Sequence, residues 1–577
     1  MADISSLDLT RVKEDLINAH RECSKRRLLH GAKWAAELSS ALNVTVSPHA
    51  LAVKAVNEDQ YQDFDKVTLS TAYFDLKEYD RAANVVEGAT SPLASFLHMY
   101  SRYLADITRQ LDNASDSIGH SGPVDNGCLK TLRMELSAKH VNKQLDGFGL
   151  YLYGVVLKKL DLSKSAVDVL VEAVNREPLH WGAWQELGLL ITDREMLLSL
   201  SLPNLWVRSL FLAQVYLELQ LHEEALEIYQ AFMDAGFSRS NFIIAQIAIA
   251  HHNMRDVDQA VAAFSELEKI DPYRLENMDI YSNLLYVKEM RADLAHLAHR
   301  CCNINKYRVE TCCVIGNYYS LRTQHEKAIM YFQRALRLNP HYLSAWTLMG
   351  HEFMEMKNTS AAIQAYRQAI EVNKRDYRAW YGLGQTYEIL KMPFYSLYYY
   401  RQAHLLKPND SRMLMALGEC YEKLDRLQES KKCFRKAHSI GDVEGGALFK
   451  LAKLYERLSE EEQAASAFTE YIVETERKGT HSHEEMSQAY RYLANYYLAR
   501  RQLDDAYATA QKCAEFTETR EDAKVLLQQI QALRSHSEGL TPIHLDDSIE
   551  SLPTDCYRPS DSHSFGRVTP VNLTFTP

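Results

Sequence analysis

A chain of 577 residues is too long to fold around one hydrophobic core, so it holds either several domains or a one-dimensional repeat. A formal charge of -11, with 65 Lys and Arg against 76 Asp and Glu, argues against a protein that wraps nucleic acid or anionic lipid. The 34 tyrosines set beside only 22 glycines and 14 prolines favour helix.

Taken in chain order, the start MADISSLDLTRVKEDL lacks the apolar stretch of a signal peptide and predicts an N-terminal helical segment over 1–60. The longest apolar run, NFIIAQIAIA from Asn241, is too short to span a bilayer, so the expected location is nucleus and cytoplasm. AYFDLKEYDRAANVV then supplies Tyr73, Ala82 and Val86, the first trace of a pattern that recurs. A polar stretch rich in Gly, Ser and Asp follows Tyr103 and predicts a mobile loop over about 106–130. The pattern returns at Gly147 with Tyr153, Gly154, Ala166, Ala173 and Pro178. It weakens in its second half after Trp181, then recovers from Trp206 with Tyr216, Ala225 and Tyr229.

Beyond this point the register is unbroken. CCVIGNYY at Cys312, WTLMGHEF at Trp346, WYGLGQTY at Trp380 and LMALGECY at Leu414 start 34 residues apart, and the same step reaches Leu448, Met278 and Ile244. Within the unit from Val309 the recurring residues are Ile315, Gly316, Tyr319, Ala328, Phe332, Ala335 and Pro340. This is the tetratricopeptide pattern, a helix pair in which a small residue of helix A admits a bulky one of helix B. The predicted fold is therefore all-α: a tetratricopeptide superhelix, or α-solenoid, of about a dozen helix pairs. Its expected parts are an N-terminal array over 61–270, a C-terminal superhelix over 271–530 and a disordered Ser/Thr/Pro-containing tail over 531–577. After an insertion near TERKGTHSHEEM, the last unit shows Leu493, Ala494, Tyr497 and Ala506. In the tail Thr541, Thr569 and Thr576 each precede proline, the minimal site for a proline-directed kinase.

The chain contains no GxxxxGK[ST], HExxH or GxSxG, so no catalytic residue, metal or cofactor is expected. Its 10 cysteines include the neighbours Cys301 and Cys302, and Cys312 and Cys313, which diverge by about 100° on a helix and read as reduced structural thiols. The Gly-x-Gly of RAWYGLGQTYEIL falls inside a helix, so it is no phosphate loop. The surplus tyrosines Tyr395, Tyr398 and Tyr399 of the next helix, with Tyr381, are expected to fill mostly inter-repeat core, a protein interface being the alternative.

Chemistry is therefore sought on the concave face, lined by the second, fifth, ninth, twelfth and thirteenth positions of helix A. The ninth reads Asn283, Asn317, His351, Gln385, Glu419 and Lys453; the twelfth and thirteenth add Glu355, Glu388, Glu422 and Glu456. Amides can hold the main chain of an extended peptide, and carboxylates can pair with an arginine on it. Charge of this sign disfavours a chaperone adaptor that clamps an acidic C-terminus, and no catalytic domain follows to make a sugar transferase. A scaffold of some other multi-protein assembly stays open.

LLHGAKWAAEL at Leu28, LDGFGLYLYGVVLKKLDL at Leu145, LHWGAWQEL at Leu179, DPYRLENMDIYSNLLYV at Asp271 and YRVETCCVIGNYYSLR at Tyr307 go beyond repeat consensus. They resemble the subunit-eight family (cell-division-cycle-23) of the anaphase-promoting complex, or cyclosome, and the likeness runs through most of the chain. The resemblance implies a non-catalytic scaffold of a multi-subunit ubiquitin ligase that controls mitotic progression, surrounded by the complex's other subunits. It implies homodimerisation through the N-terminal repeats and a C-terminal groove that receives an arginine-containing box of a coactivator. Carried over by position, Asn317, His351, Glu352, Glu355, Gln385, Glu388 and Glu419 are the expected contacts, with Glu352 at the groove's rim.

Overall fold

The computed structural model describes residue 4 and residues 7–46, 63–116, 127–442, 446–478 and 483–538, and among these it contains helices and no strand. Thr541, Thr569 and Thr576 lie outside the described residues. Two compact units divide between Arg426 and Leu427. Across the boundary expected near residue 270, helix pairs follow one another from Asn241–Met254 and Val257–Ile270 into Met278–Val287 and Arg291–Ile304.

The repeat is written into the backbone. Between helix A and helix B one residue per unit takes a left-handed conformation, at Arg255, Glu289, Thr323, Lys357, Lys391, Asp425 and Ser459, each 34 residues after the last, with φ between 55 and 65°. The next residue's N–H then reaches back to the helix, as Met392 N–H does to the Tyr387 carbonyl at 2.9 Å, so the A helix ends in a Schellman-type closure.

The small position lets the two helices close. A Cβ on Gly316 would lie 2.4 Å from the Phe332 ring, one on Gly350 2.5 Å from Tyr366, and one on Gly384 2.4 Å from Tyr400. In every case the intruding side chain is 16 residues on, one A-to-B crossing away. The Gly-x-Gly has the same cause: Gly384 receives Tyr400 of its own repeat, while Gly382 receives Tyr366 of the one before, at 2.5 Å. Trp181–Gly188 lacks a full B helix, having only Arg194–Ser199 after it, and Gly188 meets Phe211 and Val215 at an ordinary 3.5 and 3.6 Å.

At the N-terminus, Leu9–Lys25 and Leu29–Ala41 form a hairpin whose Val12, Leu16, Trp34 and Leu38 join one core with Trp181, Trp184, Leu210 and Ile243. Trp34 and Trp181 stack with centroids 4.6 Å apart and planes 2° from parallel. The hairpin thus covers A helices of the early repeats, and Lys33 is ion-paired to Glu276 just where the later ones begin.

Several expected boundaries shift. The polar stretch after Tyr103 is helical through Asp116 and again from Gly127, so both ends of the loop expected over 106–130 are helix, and residues 117–126 lie outside the described residues. Its polar letters conceal an apolar stripe: Met99, Tyr103 and Ile107 pack with Leu129, Leu132 and Leu136, and Arg102 pairs with Glu135 at 2.6 Å. In the second unit the last helix, Arg520–Glu538, continues past 531 and buries Leu526 and Ile530 against Ala494, Ala506 and Ala510. The insertion near TERKGTHSHEEM lengthens Glu461–Lys478 and the start of His483–Ala499.

The tyrosines divide by helix face. Tyr400 is buried with Ser396 and Leu397, but Tyr395 and Tyr398 are 55% and 53% exposed, contrary to a core role. They lie on the helix face away from Ser396, Leu397 and Tyr400, and Tyr395 and Tyr399 instead stack on Tyr387, each at 5.3 Å. Among the described residues the cysteines are free thiols, with Cys301, Cys312 and Cys313 buried and Cys302 half-buried.

Candidate peptide groove

In the first unit the array curls with its A helices inward. Arg375, just ahead of helix Tyr377–Ile389, donates from Nη1 to the Ile191 carbonyl at 3.0 Å, 184 residues earlier in the chain. Arg255, at the end of Asn241–Met254, likewise reaches Asp410, the N-cap of Ser411–Lys423. Between these contacts the A helices Met278–Val287, Val309–Leu321, Leu343–Glu355, Tyr377–Ile389 and Ser411–Lys423 line the groove.

The ninth-position amides turn toward one another. Asn317 is 3% exposed and its Nδ2 donates to Ser282 Oγ at 2.8 Å and to Asn283 Oδ1 at 2.6 Å. His351 Nδ1 meets the Tyr366 hydroxyl at 2.8 Å. Water reaches His351, yet protein crowds it from most sides; that crowding and the Arg378 guanidinium lower the imidazole to about 4, so it is neutral at physiological pH. Gln385 and Glu355 are exposed, and Glu419 and Glu422 are half-buried.

Two carboxylates differ from expectation. Glu352 does not reach the rim: it is 5% exposed between repeats, taking a hydrogen bond from Ser320 Oγ at 2.6 Å and pairing with His325 Nδ1 at 2.8 Å. The tenth helical position turns it about 100° away from the groove-facing ninth. Glu388 is at the groove but already engaged, accepting from the Tyr400 hydroxyl at 2.7 Å and from Lys423 Nζ at 2.5 Å. Beside it Ile389, Lys391, Pro393, Ser396, Cys420 and Lys423 enclose a pocket of about 600 Å³.

Arg378 and Arg412, at the second position of their A helices, are groove residues beyond those expected from the ninth, twelfth and thirteenth positions. Arg378 Nε donates to Asp376 Oδ1 at 2.9 Å and Arg412 Nη2 to Asp410 Oδ2 at 3.4 Å. Burial pushes the Asp410 carboxyl up, but the charges of Arg412, Arg255 and Lys407 outweigh it and hold the group below the usual range. Set beside the twelfth position, this column makes two A helices basic at the start, at Arg378 and Arg412, and acidic at the end, at Glu388 and Glu422, whereas Val309–Leu321 starts with Glu310. Among the described residues no cluster of His, Cys, Asp and Glu could hold a metal ion, and no helix is long and apolar enough to cross a membrane.

Comparison with known proteins agrees with this architecture. Residues 11–248 match the family described as anaphase promoting complex subunit 8 / Cdc23, and 309–342, 350–389, 411–440 and 446–474 match tetratricopeptide repeats. The human cell division cycle protein 23 homolog is 57% identical over 299 residues, 52% of this chain and 50% of that protein. Anaphase-promoting complex subunit 8 of Arabidopsis thaliana is 45% identical over 245 residues, 42% of each chain. The matched part therefore spans about half the length of the human relative, 50%. A crystal structure of the hetero-tetramer Cut9–Hcn1 of the anaphase-promoting complex superposes with a TM-score of 0.54 at 17% identity, over 89% of this chain and 95% of the other, which shows a shared fold.

Proposed function

We propose that this chain, whose residues 11–248 match the anaphase-promoting complex subunit 8/Cdc23 family and whose later residues match tetratricopeptide repeats, is a scaffold subunit of that ubiquitin-ligase complex. It acts by holding partners rather than by chemistry of its own. Its groove takes an arginine-bearing peptide of a coactivator, and its early repeats join a second copy.

The observation that carries the groove reading is the run of amide and carboxylate side chains along successive A helices, from Asn283 and Asn317 through His351, Glu355 and Gln385 to Glu388, Glu419 and Glu422. Glu388 suits a guanidinium because its present partner Lys423 is a flexible, half-exposed ammonium that an incoming arginine can replace with a two-point contact. Glu352 contributes by fixing Ser320 and His325 beneath this strip. For self-association, helix Phe64–Asp75 and the turn after it leave Phe64, Leu69 and Leu76 exposed.

Reversing charge at Glu388→Lys and Glu419→Lys should abolish binding of an arginine-bearing coactivator peptide in fluorescence anisotropy. Equal affinity with circular dichroism unchanged would remove the groove reading. Light scattering at micromolar concentration should give twice the monomer mass, and Leu76→Asp should lower it; a monomer throughout would remove the self-association reading.

A further inference from the structure

The groove is polar along two of its A helices, Tyr377–Ile389 and Ser411–Lys423, and this restricts what can lie in it. Arg378 and Glu388 stand at opposite ends of Tyr377–Ile389, and Arg412 and Glu422 at opposite ends of Ser411–Lys423. At 1.5 Å per residue each pair is separated by about 15 Å. The helix dipoles add to the same gradient, their positive ends lying on the arginine side and their negative ends on the glutamate side.

The arginine end carries surplus positive charge. Asp376 and Asp410 face Arg378, Arg412, Arg255 and Lys407, and two of these cations share Asp410 with a third. Arg378 and Arg412 each keep about 40% of their side chains exposed, a share that a ligand could still cover. Arg412 Nε is a buried donor with no acceptor. A buried N–H without a partner costs free energy that a bound anion would recover. Crowding by protein disfavours the cations of the nearby His351 and His252, and Arg378 disfavours both further, which is the effect a positive local field has.

We propose that the groove's ligand is dipolar: besides the arginine received near Glu388, it carries a carboxylate received by Arg378 and Arg412, about four or five residues away along an extended peptide at ~3.3 Å per residue. This rests on the arginine-peptide reading of the same groove and adds the acidic residue, its receptors and the spacing. A neutral or wholly basic peptide would leave the surplus positive charge of the arginine end without a counter-charge.

The test uses the full chain and labelled Ser/Ala peptides with one Arg and one Asp, in either order, separated by two, four or six residues. Each peptide is paired with its Asp→Asn and Arg→Ala versions. At the middle spacing, in one of the two orders, Asp should bind about tenfold more tightly than Asn. That advantage should vanish in Arg378→Gln/Arg412→Gln and persist in Arg378→Lys/Arg412→Lys, with both variants checked for helicity. Equal binding of Asp and Asn peptides, with Arg→Ala still weaker, overturns the inference and leaves the arginine reading standing. An Asp advantage undiminished in the Gln variant overturns the assignment to these two arginines. Indifference to Arg→Ala removes the arginine reading and the inference with it.

Discussion

Arg255 and Asp410, 155 residues apart in the chain, are joined through one guanidinium nitrogen that contacts both carboxylate oxygens, at 2.9 and 2.8 Å. Asp410 is buried, also pairs with Arg412 and Lys407, and accepts the Arg412 backbone N–H at 3.0 Å as the N-cap of its helix. One carboxylate therefore ties an early repeat to a late one and starts a helix of the groove.

Removing the two partners should have unequal effects. Asp410→Ala leaves three cations facing one another and takes away a cap, and should destabilise the first unit by about 3–5 kcal/mol. Arg255→Ala leaves Asp410 with Arg412 and Lys407, and should cost only about 1 kcal/mol while loosening the curl. Thermal unfolding reads the first difference, and a larger radius of gyration by X-ray scattering reads the second. Equal losses would mean that the early-to-late tie, rather than the shared carboxylate, dominates.

The small positions of helix A make a second contrast. Gly384→Ala would put a methyl 2.4 Å from the Tyr400 ring, whose hydroxyl is held by Glu388 at 2.7 Å, so ring and hydrogen bond must move together. A loss of about 1–3 kcal/mol is expected. Gly188→Ala meets only ordinary contacts and gains helix propensity, so it should be neutral or stabilising by up to ~1 kcal/mol. Urea unfolding of the two variants checks this, and a loss at Gly188 as large as that at Gly384 would contradict the packing argument.

These glycines also show what could be read in advance. Period, register and the 16-residue partnership of Gly384 with Tyr400 follow from one-letter columns, because each repeat meets its neighbours in the same way. The contacts that shape the groove do not repeat. Arg255 with Asp410 and Arg375 with Ile191 join units several repeats apart, and such pairs depend on the accumulated rotation of the stack, which no local pattern encodes. Glu352 was misplaced for a smaller reason: a column names a helix face, and one residue's step moved its carboxylate from the groove to the seam with Ser320 and His325. Tyr395 and Tyr398 went the same way, their composition suggesting core while their phase on the helix placed them outside.

The left-handed turn residues yield a stabilising change. Lys391 is exposed at φ 57°, a conformation that costs a residue with a Cβ about 1–2 kcal/mol and glycine nothing. Set against the greater entropy of unfolded glycine, Lys391→Gly should raise stability by a few tenths to ~1 kcal/mol, and Lys357→Gly at φ 60° should do the same. Additive rises in the melting temperature of the double variant would show that the two turns act independently.

His180 should give the chain an acid-sensitive core. It is fully enclosed, with Cys23 Sγ 3.7 Å from Nδ1 and the Tyr151 ring edge-on at 4.5 Å, and Nε2 has no partner. Burial, assisted by Arg26, lowers it from 6.5 to about 3. The unfolded chain therefore takes up a proton at this residue below about pH 6.5 while the folded chain does not, so stability is lost as pH falls from there toward 3. At pH 5.5 the loss amounts to roughly 1 kcal/mol from this group alone. Acids such as Glu177, raised by burial, work in the opposite direction, so the comparison needed is between wild type and His180→Gln rather than within one protein. The variant should be less stable than wild type at pH 7.5, and that gap should narrow by about 1 kcal/mol at pH 5.5. A gap that stays constant between the two values would show that His180 takes up its proton equally in the folded and unfolded chain.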